Sequence, residues 1–233
     1  MVPAYTGAMA VTDLSQATQD YLKCVWTLQE WSGGSVSMTA LAERLGVRTS
    51  TASDGVKKLA EQGLVEHIAY GGITLTPTGR GHALAMVRRH RLLETYLVSA
   101  LGYGWDEVHD EAEVLEHAVS DRMLDAIDTL LGHPTRDPHG DPIPSADGDA
   151  HLPDAVTLAE AAPGMATVVR VSDADPERLR RFAQAGIVPD VPVEVEDAGT
   201  VRVGDTTIAL EAEDAASVWV TTPQEMSFPR ARR

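Results

Sequence analysis

Ser37–Gly46, SMTALAERLG, runs directly into Val47–Leu59, VRTSTASDGVKKL, and these two stretches decide the fold. Ser37 is a helix-capping residue ahead of a short helix through Leu45, and Gly46 makes a turn. A second helix then spans about Thr49 to Gln62 and is ended by Gly63. Leu41, Ala42, Leu45, Val47, Ala52, Val56 and Leu59 fall where the two helices face each other. Arg48, Thr49, Ser50, Thr51, Ser53 and Lys57 are left pointing outward. Short hydroxyls and cations at the start of a second helix suit phosphate and base-edge contacts in the DNA major groove. Asp54 sits among them, either to accept from a cytosine amino group or to lie off the DNA. The alternative is a helical hairpin used for protein contact.

The flanking stretches strengthen the DNA reading. Asp13–Trp31 carries an apolar stripe near the helical period and stops at Gly33-Gly34. Leu64–Thr76 alternates around Gly71-Gly72 as a β-hairpin would, completing a winged helix-turn-helix. The net charge of −16 looks wrong for a DNA-binding protein, but between Leu41 and Arg91 eight lysines and arginines face four carboxylates, leaving that stretch at +4. Pro77 opens a long helix to about Leu101, and Trp105–Leu131 holds further helical pattern. His133–Pro163, rich in proline, leaves little room for regular structure. Short β-like runs follow at 166–171, 191–197, 200–203, 206–210 and 217–221, with a helix at Pro176–Ala185, so a small β-barrel closes the chain. A single cysteine, Cys24, excludes a disulfide framework and a Cys-rich zinc site, and no apolar run is long enough for a membrane span. The amino-terminal segment has no basic start or apolar core of a signal peptide, so the cytoplasm is expected.

Two stretches concentrate metal-ligand side chains. His90 and Glu94 stand four residues apart on one helix face. His109, Glu113, Glu116 and His117 share one face of the next helix at about 100° per residue. Two imidazoles with carboxylates make a poor core stripe and a good ligand row, and without thiolates the set favours Mn²⁺ or Fe²⁺.

With these residues the chain resembles the diphtheria toxin repressor family of metalloregulators over nearly its whole length. The most specific parts are Arg89–Glu94 (RHRLLE), Val108–His117 (VHDEAEVLEH) with Ser120-Asp121, the stretch Gly132–Pro144, and Leu179–Val195. The resemblance implies a mainly α protein with a small β domain. Its expected parts are a winged helix-turn-helix (1–76), a helical metal-binding and dimerisation domain (77–145), a proline-rich linker (146–163) and an SH3-like domain (164–225). It implies one metal site from His90, Glu94 and His109, completed by Asp175, and another from Asp20, Glu113, Glu116 and His117. Iron-sensing members have methionine and cysteine where this chain has Asp20 and Glu113, whereas manganese-sensing members have carboxylates, so Mn²⁺ is the expected ion. Fe²⁺ stays open, with Co²⁺, Ni²⁺ or Zn²⁺ as surrogates. Short manganese sensors carry an acidic residue where Lys23 stands here, so separated sites are expected rather than a bridged pair of ions. The implied function is a homodimeric repressor that holds a palindromic operator in double-stranded DNA when metal is bound. Two rivals remain: a carboxylate-bridged metalloenzyme, which Glu116-His117 alone would permit but for which no Glu-x-x-His lies on a partner helix, and a metal-free winged-helix regulator.

Overall fold

The computed structural model describes residues 11–68 and 72–222. The Gly71 end of the expected hairpin turn and residues 223–225 of the expected SH3-like domain lie outside them. The chain forms two compact units. One gathers the described residues up to His90 with 115–120 and 144–150; the other takes 91–114, 121–143 and the described residues from His151 on.

The first unit opens with a 3₁₀ turn at Val11–Asp13 and helix α1, Gln16–Ser32, capped where the Thr18 N–H donates to Ser15 Oγ. Helix α2 (Met38–Arg44) starts at Ser37, whose Oγ accepts from the Ala40 N–H. Helix α3 (Thr49–Glu61) follows the Gly46 turn. Strands β1 (Val65–Ile68) and β2 (Gly72–Leu75) pair antiparallel, Val65 opposite Leu75, and Val36 bridges to Ile73. Leu22, Val25, Leu41, Val56, Leu59, Leu64 and Ile73 close one apolar core beneath them. The ring of Tyr21 lies against Gly55 of α3: a Cβ there would meet the ring at 2.5 Å, so any larger residue would push the ring from its seat on α3. The Tyr21 hydroxyl donates to the Thr51 carbonyl at 3.2 Å. Helix α4, Pro77–Leu101, runs on from this unit.

The second unit holds the later turns of α4, most of α5 (Val108–Glu116) and α6 (Asp121–Leu130). Its β part comprises β3 (Ala155–Thr157), β4 (Gly164–Val171), β5 (Pro192–Asp197), β6 (Thr200–Val203), β7 (Thr206–Ala209) and β8 (Val218–Thr221). All neighbours run antiparallel in the order β3-β8-β4-β5-β6-β7. Helices α7 (Pro176–Ala185) and α8 (Ala212–Ala216) accompany the sheet, and Val168, Val171, Leu179, Phe182, Ile187, Val193, Val201 and Val220 fill its core.

The proline-rich stretch is more ordered than its composition suggests. β3 falls inside the expected linker and pairs with β8, Val156 opposite Val220, while Leu158 is buried. A three-residue strand between Pro153 and Pro163 is too short to show a period, which hid it from pattern reading. Upstream, the Ile143 N–H donates to the Thr135 carbonyl and the Asp137 N–H to the Asp141 carbonyl, folding 135–143 into a tight loop. This loop packs on β4, where the Val171 N–H donates to the His139 carbonyl. Gly140 sits at φ 91°, and a Cβ on it would run into the Val169 carbonyl. Among the described residues no helix is long and apolar enough to cross a membrane.

Candidate functional site

Helix α3 divides as its sequence suggests. Ala52, Val56 and Leu59 are buried, while Arg48, Thr49, Ser50, Thr51, Ser53 and Lys57 are all exposed. Arg48 occupies the N-cap without a side-chain cap bond, so the first N–H groups of α3 and its positive dipole end meet solvent between hydroxyls and a guanidinium. Such an end can donate directly to a phosphate oxygen. Behind it, burial and the nearby Cys24 and Asp54 push the Tyr21 phenol upward, keeping it a hydrogen-bond donor to α3.

A first group of ligand-type side chains lies on the helix packed against α3 and the turn after α5. Asp20 Oδ1 of α1 is 3.0 Å from His117 Nε2, and Glu116 Oε1 is 3.7 Å from the same nitrogen. Helix α5 ends at Glu116 and His117 lies in the turn after it, so its ring is freed from the helix face. The buried Gln19, a residue that sequence reasoning passed over, fixes that ring. Its Nε2 donates to the Val11 and Leu14 carbonyls at 2.8 and 3.2 Å, which leaves Oε1 facing His117 Nδ1 at 2.7 Å. An amide oxygen only accepts, so Nδ1 donates to it and Nε2 is the nitrogen turned towards Asp20 and Glu116. Glu116 is 1% exposed. Its Oε1 accepts from Lys23 Nζ at 2.6 Å and its Oε2 lies 2.6 Å from His90 Nδ1. Burial works to raise its carboxyl, but His90 and Lys23 outweigh it and hold the carboxyl below the ordinary range.

A second group belongs to the other unit. His109 Nδ1 is 3.0 Å from Asp173 Oδ2 and 3.4 Å from Glu94 Oε1, while its Nε2 is 3.5 Å from Glu113 Oε1. Burial disfavours a charged His109, but Asp173, Glu113 and Glu94 prevail and push it up to about 12. Glu94 also gathers Asp137 and His139, all three buried with ligand atoms within 4.8 Å of one another. His139 Nε2 donates to the Trp105 carbonyl at 2.6 Å and the Trp105 ring stacks on the imidazole. Its buried Nδ1 has no hydrogen-bond partner and faces Glu94 Oε2 at 3.8 Å. Burial opposes its charge, but Glu94, Asp137 and Asp173 push it up to about 9. Burial, Asp141 and Glu94 raise the Asp137 carboxyl well above its usual value, against the pull of His139 and Arg91. Crowded carboxylates and imidazoles with no sulfur among them are the donor set of a hard divalent cation; Cys24 is buried and belongs to none of the groups.

The expected ligand row thus splits. Asp20, Glu116 and His117 come together, as do Glu94 and His109. Glu113 stands beside His109 and half exposed, outside the Asp20 group it was expected to join. His90, one turn before Glu94 on α4, directs its Nδ1 to Glu116. Asp175 is the N-cap of α7, its Oδ1 accepting from the Glu177 and Arg178 N–H groups, which holds its carboxyl low. The residue that reaches His109 is Asp173. An Asp before Pro176 at the first helical position is a readable cap signature, and that signal would have moved the assignment two residues back. Asp137 and His139 lie in the proline-rich stretch from which no regular structure was expected.

Three family profiles tile the chain: an iron dependent repressor N-terminal DNA binding domain over 13–73, an iron dependent repressor metal binding and dimerisation domain over 76–145, and a FeoA domain over 156–222. The iron-dependent repressor IdeR of Mycobacterium leprae is 34% identical over 231 residues, covering 93% of this chain and 96% of its own. This chain belongs to the diphtheria toxin repressor family. The diphtheria toxin repressor of Corynebacterium diphtheriae is itself 30% identical over 213 residues, 87% of this chain and 92% of its own. A solved manganese-dependent transcriptional repressor in complex with manganese is 54% identical with a TM-score of 0.83, covering 88% of this chain and 99% of that one. As a member of this family the chain is a metal-dependent transcriptional repressor, with the family's DNA-binding, dimerisation and SH3-like FeoA parts, and not an enzyme.

Proposed function

We propose that this chain is a manganese-responsive repressor in which metal uptake stiffens the DNA-reading head. The observation that carries the reading is Asp20: a carboxylate from α1, the helix packed on α3, meets Glu116 and His117. Asp20, Glu116 and His117 would hold one ion, with Gln19 orienting the imidazole. Glu94, His109 and Asp173 would hold another, with His90 one helical turn from Glu94 and His139 and Asp137 beside it. Glu113 remains a candidate only through His109. A bound divalent cation supplies the positive charge these carboxylates share. In exchange, Asp20 ties α1 to the turn after α5, and Tyr21 next to it keeps α3 in place.

All-oxygen and imidazole donors, and the 54% identity to a manganese-dependent repressor, favour Mn²⁺. Fe²⁺ is the second reading, favoured by the names of the relatives near 30% identity. Arg48 and Lys57 would hold phosphate, with Thr49, Ser50, Thr51 and Ser53 at the groove. Leu101, Tyr103, Val114, Met123 and Leu130 are large apolar side chains exposed in the segment matched by the dimerisation profile, and would meet a second copy. A two-fold dimer reads a palindromic operator, in the cytoplasm where the chromosome lies. By this reading residues 1–76 read DNA, 77–145 bind metal and pair chains, and the SH3-like part begins at β3. DNA binding followed by fluorescence anisotropy while Mn²⁺, anaerobic Fe²⁺, Co²⁺ and Zn²⁺ are titrated tests the proposal. Activation by Mn²⁺ at the lowest free concentration in the cell's range supports it; activation by Fe²⁺ alone selects the second reading. His117→Ala should abolish the response, and a variant that still switches would place the trigger elsewhere.

A further inference from the structure

We propose that Lys23 is a built-in cation that competes with the metal for Glu116 and so sets the concentration at which the Asp20–Glu116–His117 site fills. The proposal rests on reading those three residues as ligands. Lys23 stands one turn after Asp20 on α1, on the same helix face. Its Nζ donates to Glu116 Oε1 at 2.6 Å. Glu116 is buried and its other oxygen lies 2.6 Å from His90 Nδ1, so Oε1 is the oxygen it presents to the His117 side. A cation seated among Asp20 Oδ1, Glu116 Oε1 and His117 Nε2 must therefore share or take the oxygen that the ammonium holds.

The geometry lets Lys23 yield. Its side chain is 15% exposed, so the amine reaches water by rotation of a flexible four-carbon stem. While it stays, it neutralises a buried carboxylate that would otherwise be costly to keep charged without metal. When it leaves, the same carboxylate turns to the incoming ion. A brace and a competitor differ in sign. Both cost fold stability when removed, but only a competitor weakens metal binding while present.

The test is equilibrium dialysis of the full chain against chelator-buffered Mn²⁺ in the absence of DNA, with chemical denaturation of the metal-free protein alongside. Lys23→Gln should tighten the Mn²⁺ Kd of one site about tenfold or more, since removing one adjacent like charge is worth at least a unit in a proton affinity. Its metal-free form should be less stable. Lys23→Arg should bring the Kd back towards wild type. If Lys23→Gln folds poorly by circular dichroism, Lys23→Leu removes the same charge and is read the same way. An unchanged or weaker Kd in the neutral variants overturns the proposal and leaves Lys23 a brace. His117→Ala in the same dialysis isolates the underlying reading: loss of one ion per chain upholds the site, whereas full stoichiometry removes the site and the competition with it.

Discussion

Gln19 offers the sharpest test of how the first ligand group is built. Replacing it by leucine removes the acceptor 2.7 Å from His117 Nδ1 and the two donor bonds to the Val11 and Leu14 carbonyls. The imidazole then loses the partner that fixes its tautomer and aims Nε2 at Asp20. Loss of such an orienting partner typically weakens metal affinity 10–100-fold, or about 1.4–2.7 kcal/mol. The two lost side chain–backbone bonds should cost the metal-free fold about 1–3 kcal/mol between them. Gln19→Glu keeps an acceptor for Nδ1–H but gives up the donors, so it should lose stability while binding Mn²⁺ more tightly than the leucine variant. Equilibrium dialysis with Mn²⁺ and urea denaturation of the chelated protein separate the two effects. Wild-type Mn²⁺ affinity in Gln19→Leu, with stability alone reduced, would show that Gln19 merely fastens the 11–14 turn and that His117 is oriented otherwise.

Three further outcomes are expected. Arg48→Ala and Lys57→Ala, at exposed positions of α3, should each flatten the slope of log affinity against log salt by about one unit on any DNA sequence; an unchanged slope in both removes α3 from the phosphates. Asp173→Asn should weaken Mn²⁺ binding at the His109 group, while Asp175→Asn, which alters only a helix cap, should leave metal stoichiometry intact in dialysis. His139, lifted to about 9, binds its proton more tightly folded than unfolded. The resulting stability is complete below about pH 6.5 and is lost as pH rises through about 9. Chelated protein should therefore show a falling Tm across that window, and His139→Gln should flatten it.

Most of the architecture was readable because its signals are local. Ser37, Gly46 and the apolar set from Leu41 to Leu59 announce two helices and a turn within 23 residues, and α7 begins at Pro176 and ends at Ala185 as its period requires. What escaped depends on long-range pairing or on where a helix stops. β3 is three residues long and exists only because β8 offers it an edge. The shared face of His109, Glu113, Glu116 and His117 assumed an unbroken helix, but α5 ends at Glu116, and that single termination sends His117 to Asp20 while Glu113 stays with His109. Asp137 and His139 were hidden by Pro134, Pro138 and Pro142, which read as spacer although the loop they shape closes against β4. Gln19 carries no charge and sits on a half-apolar helix, so nothing in the pattern set it apart from a solvated glutamine.

Asp20 and Tyr21 are consecutive residues of α1, one turned to His117 and the other seated over Gly55. If Asp20 holds metal as proposed, sensor and reporter are separated by a single peptide bond, and the notch at Gly55 is the joint between them. Linkage is reciprocal: whatever factor metal adds to DNA affinity, DNA adds to metal affinity. A side chain at position 55 would push Tyr21 off α3 and diminish both factors together, leaving each binding event on its own largely intact. The glycine lies outside the Asp20 group, yet it is where the conversation between the two can be cut.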